Sequence, residues 1–149
     1  MKIIGIILMI QLSWMANGQD REKSQKNWKT LSEVAFVKSN DGYAEIYLPE
    51  FSDNIKTLAN KNITLQGYIV PNDGLFKSSE FIISSLPLAQ CFFCGGDSGP
   101  ESVAYVYPQE PIKYISKLVT IKGTLELNET DSNKLLYTLN DATVEIANN

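Results

Sequence analysis

The 149-residue chain has no histidine and only two cysteines. Without histidine it lacks the commonest general base, the usual partner that activates a nucleophile and the commonest transition-metal ligand. Serine or cysteine hydrolysis would then need an unusual base such as lysine or a carboxylate, which weakens every enzyme reading. Positive charge is also scarce, with Lys+Arg 13 against Asp+Glu 17 and a formal net charge of −4. No sequence window gathers a basic cluster, so a phosphate backbone is repelled and nucleic acid is not expected as a partner. A mildly acidic domain can attract cations, but solubility accounts for the same charge.

Long apolar runs are missing except for one at the start. Lys2 precedes the run from Ile3 to Trp14, which only Gly5, Gln11 and Ser13 interrupt, and "ANG" at 16–18 supplies small residues. Residues 1–18 therefore read as an export signal, with the mature chain starting at Gln19. The run is short for a membrane span and "QDREKSQKN" follows at once, so the processed protein is not expected to be integral to a membrane. The rival reading is an uncleaved anchor. No cysteine lies near the cut to support a lipoprotein. The expected location is periplasmic or extracellular.

Residues 19–27 are polar and without apolar periodicity, and read as a flexible leader. Residues 28–149 are enough for a single β-rich domain. Trp28, Leu31, Val34 and Ala35 recur at helical spacing, with Ser24 or Asn27 available as an N-cap. "NDG" at 40–42 marks a turn between two short β runs, the second ended by Pro49. "FSDNIKTLANK" at 51–61 is a helical turn or a loop that carries Phe51, Ile55 and Leu58 inward. Strands are predicted at 62–71, 80–86 and 102–108 and in the closing segments "VTIKGTLEL" and "KLLYTLNDATVEI", and a weak helical spacing at 111–118. "KNITLQGYI" and "KLVTIKGTL" share lysine, threonine and a mid-strand glycine at equal offsets. Such a glycine often marks a bend or bulge where a sheet curls. The pattern predicts a mostly β chain with one or two short helices, folded as a small OB-like, partly open barrel rather than a sandwich.

Both cysteines lie in "LAQCFFCGGDSGPESV" at 88–103. A c-type haem site needs histidine after the second cysteine, and residue 95 is glycine. A thioredoxin-type centre needs CxxC at a helix N-terminus, and "GGDSGP" cannot start a regular helix. A zinc site needs further ligands. Zinc or copper held by Cys91 and Cys94 would have to recruit carboxylates such as Asp97 or Glu101, backbone oxygens or a second copy of the protein. The plainest reading is a disulfide between Cys91 and Cys94 in an oxidising compartment, closing a small ring that strain leaves open to exchange. Phe92 and Phe93 are expected to divide their roles, one ring packing inward and the other covering the loop or facing a ligand. Gly95, Gly96 and Gly99 form either a tight turn or a small anion nest. With Pro100 and Glu101 they complete a candidate binding loop, flanked by Tyr68, Tyr105 and Tyr107.

"WKTL", "NITLQGYIVP", "CFFCGGDSGPESV" and "VTIKGTLEL…LLYTLNDA" together resemble a family of small exported bacterial proteins, a domain-of-unknown-function group related to DUF3299. The resemblance runs from Trp28 to Ala142, with "GYIVP" and "GPES" as its specific parts. In the better-known branch the loop reads Cys-Ile-His before a proline run. Here Cys94 stands one position later than that histidine, and the proline run is reduced to Pro100. The resemblance implies an envelope-located protein with an OB-like or related small β fold and carries no established activity. Accessory roles beside transporters are an analogy from such groups. The sequence thus points to an exported binding or accessory module that works through the Cys91–Glu101 loop on a small ligand, a metal or an envelope protein. The alternative is a metal or thiol–redox protein that uses the two cysteines directly.

Overall fold

The computed structural model describes residues 18–40, 45–71 and 78–147. Residues 18–31 are helical (α1), followed by strands β1 (Ala35–Asn40) and β2 (Glu45–Glu50) and a single helical turn α2 (Asp53–Lys56). Then come β3 (Asn62–Val70), β4 (Phe81–Ser84), β5 (Val103–Pro108), β6 (Val119–Leu127) and β7 (Tyr137–Ile146). The last five strands form a closed barrel in the order β3-β4-β5-β7-β6, with β5 and β7 parallel and the other pairs antiparallel. This is the expected small OB-like architecture, and closure leaves the barrel without free sheet edges where the ladders are complete.

The repeated segments are neighbours in the barrel. β3 and β6 pair antiparallel, Leu65 opposite Ile121, Ile63 opposite Gly123 and Gly67 opposite Val119. At Gly67 the strand leaves β6 and takes up β4, Tyr68 pairing with Ser84. A Cβ on Gly67 would stand 2.6 Å from the Ser84 carbonyl oxygen, so the crossing requires glycine there. Opposite Gly123 the partner strand carries the bulge. Lys122 pairs with Thr143 and Thr124 with Asn140, leaving Asp141 and Ala142 to face one residue, with Asp141 at φ 52°. The extra residue turns β7 about the barrel and shifts its inward phase, from Tyr137 and Leu139 to Ala142. Ile63, Leu65, Ile69, Phe81, Ile83, Ala104, Val106, Val119, Ile121 and Leu125 complete the core from the other strands.

The polar segment 19–27 is helical, not a flexible leader, because its order comes from hydrogen bonds rather than apolar burial. Over its first half β3 has β6 on one edge and no strand on the other. Side chains at helical i, i+3 and i+4 positions of α1 serve that edge. Ser24 Oγ accepts from Gln66 N–H at 2.6 Å, Asn27 Nδ2 donates to Thr64 C=O at 2.9 Å, and Trp28 Nε1 donates to Gln66 C=O at 2.9 Å. Ser24 and Asn27 are thus edge partners within the helix rather than its N-cap. Ser24→Ala leaves the Gln66 amide without its partner beneath the helix. It should cost about 1–3 kcal/mol in denaturant unfolding, against less than about 0.5 kcal/mol for the exposed Ser32→Ala.

One end of the barrel gathers the starts of β3, β5 and β7 with the ends of β4 and β6. There Leu31, Phe51 and Ile55 are buried in the core, Ser52 caps α2, and the Tyr137 hydroxyl donates to the Leu31 carbonyl at 2.6 Å. Phe51 and Ile55 point inward as the sequence predicts, and Leu58 is partly buried against the same core. The β4–β5 loop opens from this end. Residues 111–118, read as weakly helical, form no helix. Ile112 instead makes an isolated bridge with Ser78. β1 and β2 pair antiparallel as expected, with residues 41 and 42 of the predicted "NDG" turn outside the described residues, and Pro49 sits within β2 opposite Phe36. Among the described residues no helix is long and apolar enough to cross a membrane, and the predicted signal at 1–18 lies outside them but for Gly18.

Candidate functional site

The loop from 85 to 102 is tied at its base by Ser85 N–H donating to the Ser102 carbonyl at 2.9 Å. Inside it the chain makes three single 3₁₀ turns, Leu88–Gln90, Phe92–Cys94 and Pro100–Ser102. Cys91 joins the first two in extended conformation and is fully buried. Its carbonyl accepts from both the Cys94 and the Gly96 amides at 3.0 Å, so these two donors close a turn rather than an anion nest. Gly95 takes φ 85°, the left-handed conformation that ends the turn. A Cβ on Gly96 would collide with the backbone of Gln90, whose carbonyl also accepts from Ser98 Oγ at 2.8 Å. At Gly99 the space a Cβ would need is filled by the carboxylate of Glu101.

Cys91 and Cys94 do not form the expected disulfide; both are free thiols. Cys91 is buried and Cys94 is exposed. The neighbouring Cys91 thiol as a hydrogen-bond partner, then burial, then the Cys91 charge raise the Cys94 thiol above its ordinary range. The segment contains no Lys or Arg, and its charged residues are Asp97 and Glu101. Nothing in it activates a thiolate. Among the described residues no third cysteine, aspartate or glutamate gathers with the pair. The carboxylate nearest in sequence beyond Asp97, Glu101, folds back on Gly99.

Phe92 and Phe93 do not divide as expected. Both are exposed, at 39% and 48%, and pack edge to face with centroids 5.1 Å apart. Cys91 is the inward anchor instead. The sequence matches no family model, no curated protein and no solved structure. A pair of exposed rings on a backbone fixed by a buried side chain and short turns is a preorganised apolar contact surface.

The flanking tyrosines lie on the barrel strands. Tyr105 and Tyr107 alternate with inward Ala104 and Val106 on β5 and pack together with centroids 5.3 Å apart. Burial, then the Glu80 carboxylate, then Tyr107 push the Tyr105 phenol up, and Tyr105 also hydrogen-bonds Glu80. Tyr68 is half-buried on β3. The thiols and phenylalanines thus sit in the loop, and the tyrosines on strands β3 and β5.

One prediction follows for the thiols. In the native protein iodoacetamide should modify Cys94 and spare Cys91, which reacts only after unfolding, as peptide mass mapping would record. The Cys94 rate should rise with pH past the ordinary thiol range.

Proposed function

We propose that this chain is an exported, non-enzymatic binding or accessory module of the bacterial cell envelope, with the Cys91–Glu101 loop as its working surface. The observation that carries this reading is the exposed Phe92–Phe93 pair on a loop anchored by buried Cys91. Rings held in place lose little freedom on contact, so their burial against a partner converts efficiently into affinity. The apolar run at 3–14, the small residues at 16–18 and the likeness to exported proteins related to DUF3299 support an envelope location. The lack of histidine and of an activated thiolate supports recognition over catalysis.

The test is Phe92→Ser/Phe93→Ser. The double variant should unfold within about 1 kcal/mol of the parent, because both rings already face solvent, and should fail to complement a deletion strain. Full complementation would remove the loop as the working surface.

Two free thiols at the ends of one short turn favour a second reading, a dithiol that exchanges with a disulfide. Cys91 and Cys94 would pass two electrons and two protons to an incoming disulfide RSSR, giving an intramolecular S–S bond and two RSH. Intact mass with and without reductant detects the loss of two hydrogens. A chelator arm detects zinc or copper held with outside ligands. Cys91→Ser and Cys94→Ser variants that complement fully would reject both thiol roles.

A further inference from the structure

A lysine-lined cleft lies on the barrel wall outside the cysteine loop. Four lysines from three separate parts of the chain converge on it: Lys23 and Lys26 from α1, Lys61 from the link into β3, and Lys122 from β6. The cavity measures about 510 Å³, within the range of small-molecule sites. Asp20 is the one acidic residue lining it, and it is spent on Lys122, Oδ2 to Nζ 2.8 Å. Among the described residues Lys23, Lys26 and Lys61 pair with no carboxylate. Leu58 and Ile63 supply an apolar part of the lining, and Asn62 and Thr64 a polar part.

In a chain of net charge −4, three exposed lysines with no carboxylate partner around one cleft make a local positive field that attracts anions. Lysine presents a compact point charge that suits phosphate, whereas arginine, absent from this lining, is the usual choice for bidentate carboxylate recognition. The uncompensated charge exceeds what a single monoanion balances, and the apolar residues offer contact to a carbon body. We propose that this cleft binds a small phosphorylated molecule carrying two or more negative charges, its phosphates among Lys23, Lys26 and Lys61 and its body against the partly exposed Leu58. α1 supplies two of these lysines, and the hydrogen bonds of Ser24, Asn27 and Trp28 to β3 hold that helix at the cleft wall. The helix that completes the barrel edge therefore also completes the site.

The experiment is calorimetric titration of the full chain with inorganic pyrophosphate, followed by a short-chain alkyl diphosphate. Pyrophosphate should bind, the alkyl diphosphate more tightly, and both more weakly as salt is raised. Lys26→Glu/Lys61→Glu should weaken binding about tenfold or more. Asp20→Asn, which frees Lys122 and removes the opposing charge, should strengthen it. Circular dichroism and melting of each variant report whether α1 and the fold are kept. Lys38→Glu/Lys134→Glu, at two exposed positions outside the cleft lining, serves as the charge-matched control. A folded parent that shows no heat with either ligand overturns the proposal, as does binding unchanged by the double reversal. A lipid-headgroup source is tested with phosphatidylglycerol vesicles. Vesicle binding that depends on Lys26 and Lys61 but resists pyrophosphate competition would overturn the assignment to a small soluble ligand.

Discussion

Tyr137→Ala should destabilise the protein by about 3–5 kcal/mol in denaturant unfolding, the largest single-residue loss expected. Tyr137 is fully buried at the start of β7, where its ring lies 5.9 Å from that of Phe51. Its hydroxyl bonds the Leu31 carbonyl at the C-terminal end of α1. Truncation would open a cavity under α1 and α2 and strand that carbonyl in the same step. Tyr137→Phe separates the two effects, since it keeps the ring and loses only the donor, and should cost about 1–3 kcal/mol. Burial first and the Glu101 carboxylate second push the Tyr137 phenol well above its ordinary pKa of 10.0. The folded state then holds this proton more tightly than the unfolded state. The stabilisation is fully present below about pH 10 and is lost as pH rises above it. Thermal melts of the parent should therefore fall in the alkaline range, and Tyr137→Phe should flatten that fall.

Gly67→Val should be nearly as damaging, at about 1–3 kcal/mol or more from overpacking. The new side chain would meet the Ser84 carbonyl oxygen at 2.6 Å and its carbon at 3.2 Å, both backbone atoms of β4 that cannot rotate away. Relief requires β3 and β4 to part where β3 changes partners, so closure of the barrel is what is strained. Gly123→Ala provides the comparison, because its nearest contacts are 3.0 Å, to the Ala142 side chain and the Asn140 carbonyl. These lie at a bulge that can adjust, so the loss should be smaller. Equal losses at the two glycines would mean that their common place in the repeat, rather than the strand crossing at Gly67, sets the cost.

Much of this architecture is legible in the residues. Alternation in β3 and β6, and the glycine each carries at the same offset, identify curled strands before any pairing is known. What alternation does not reveal is the bulge at Asp141, because an acidic residue at positive φ leaves no hydrophobic mark. It also does not reveal α1. That helix is held by Ser24, Asn27 and Trp28 reaching a strand edge some forty residues away, and such polar bonds leave the segment looking like leader. The lysine cleft is hidden for a related reason, since Lys23, Lys61 and Lys122 become neighbours only when α1, β3 and β6 are assembled. In the cysteine loop the spacing and the glycines identify the site, but not which side chain turns inward. Cys91, the smaller and less conspicuous candidate beside two phenylalanines, takes the buried position and leaves both rings outside.

A photoreactive benzoylphenylalanine placed at Phe93, with the same residue at exposed Lys134 as control, tests the loop most directly as the working surface. Irradiation of cells expressing each form should give a mass-shifted adduct from position 93 and none from position 134. No adduct at 93, or equal adducts at both positions, would contradict the assignment.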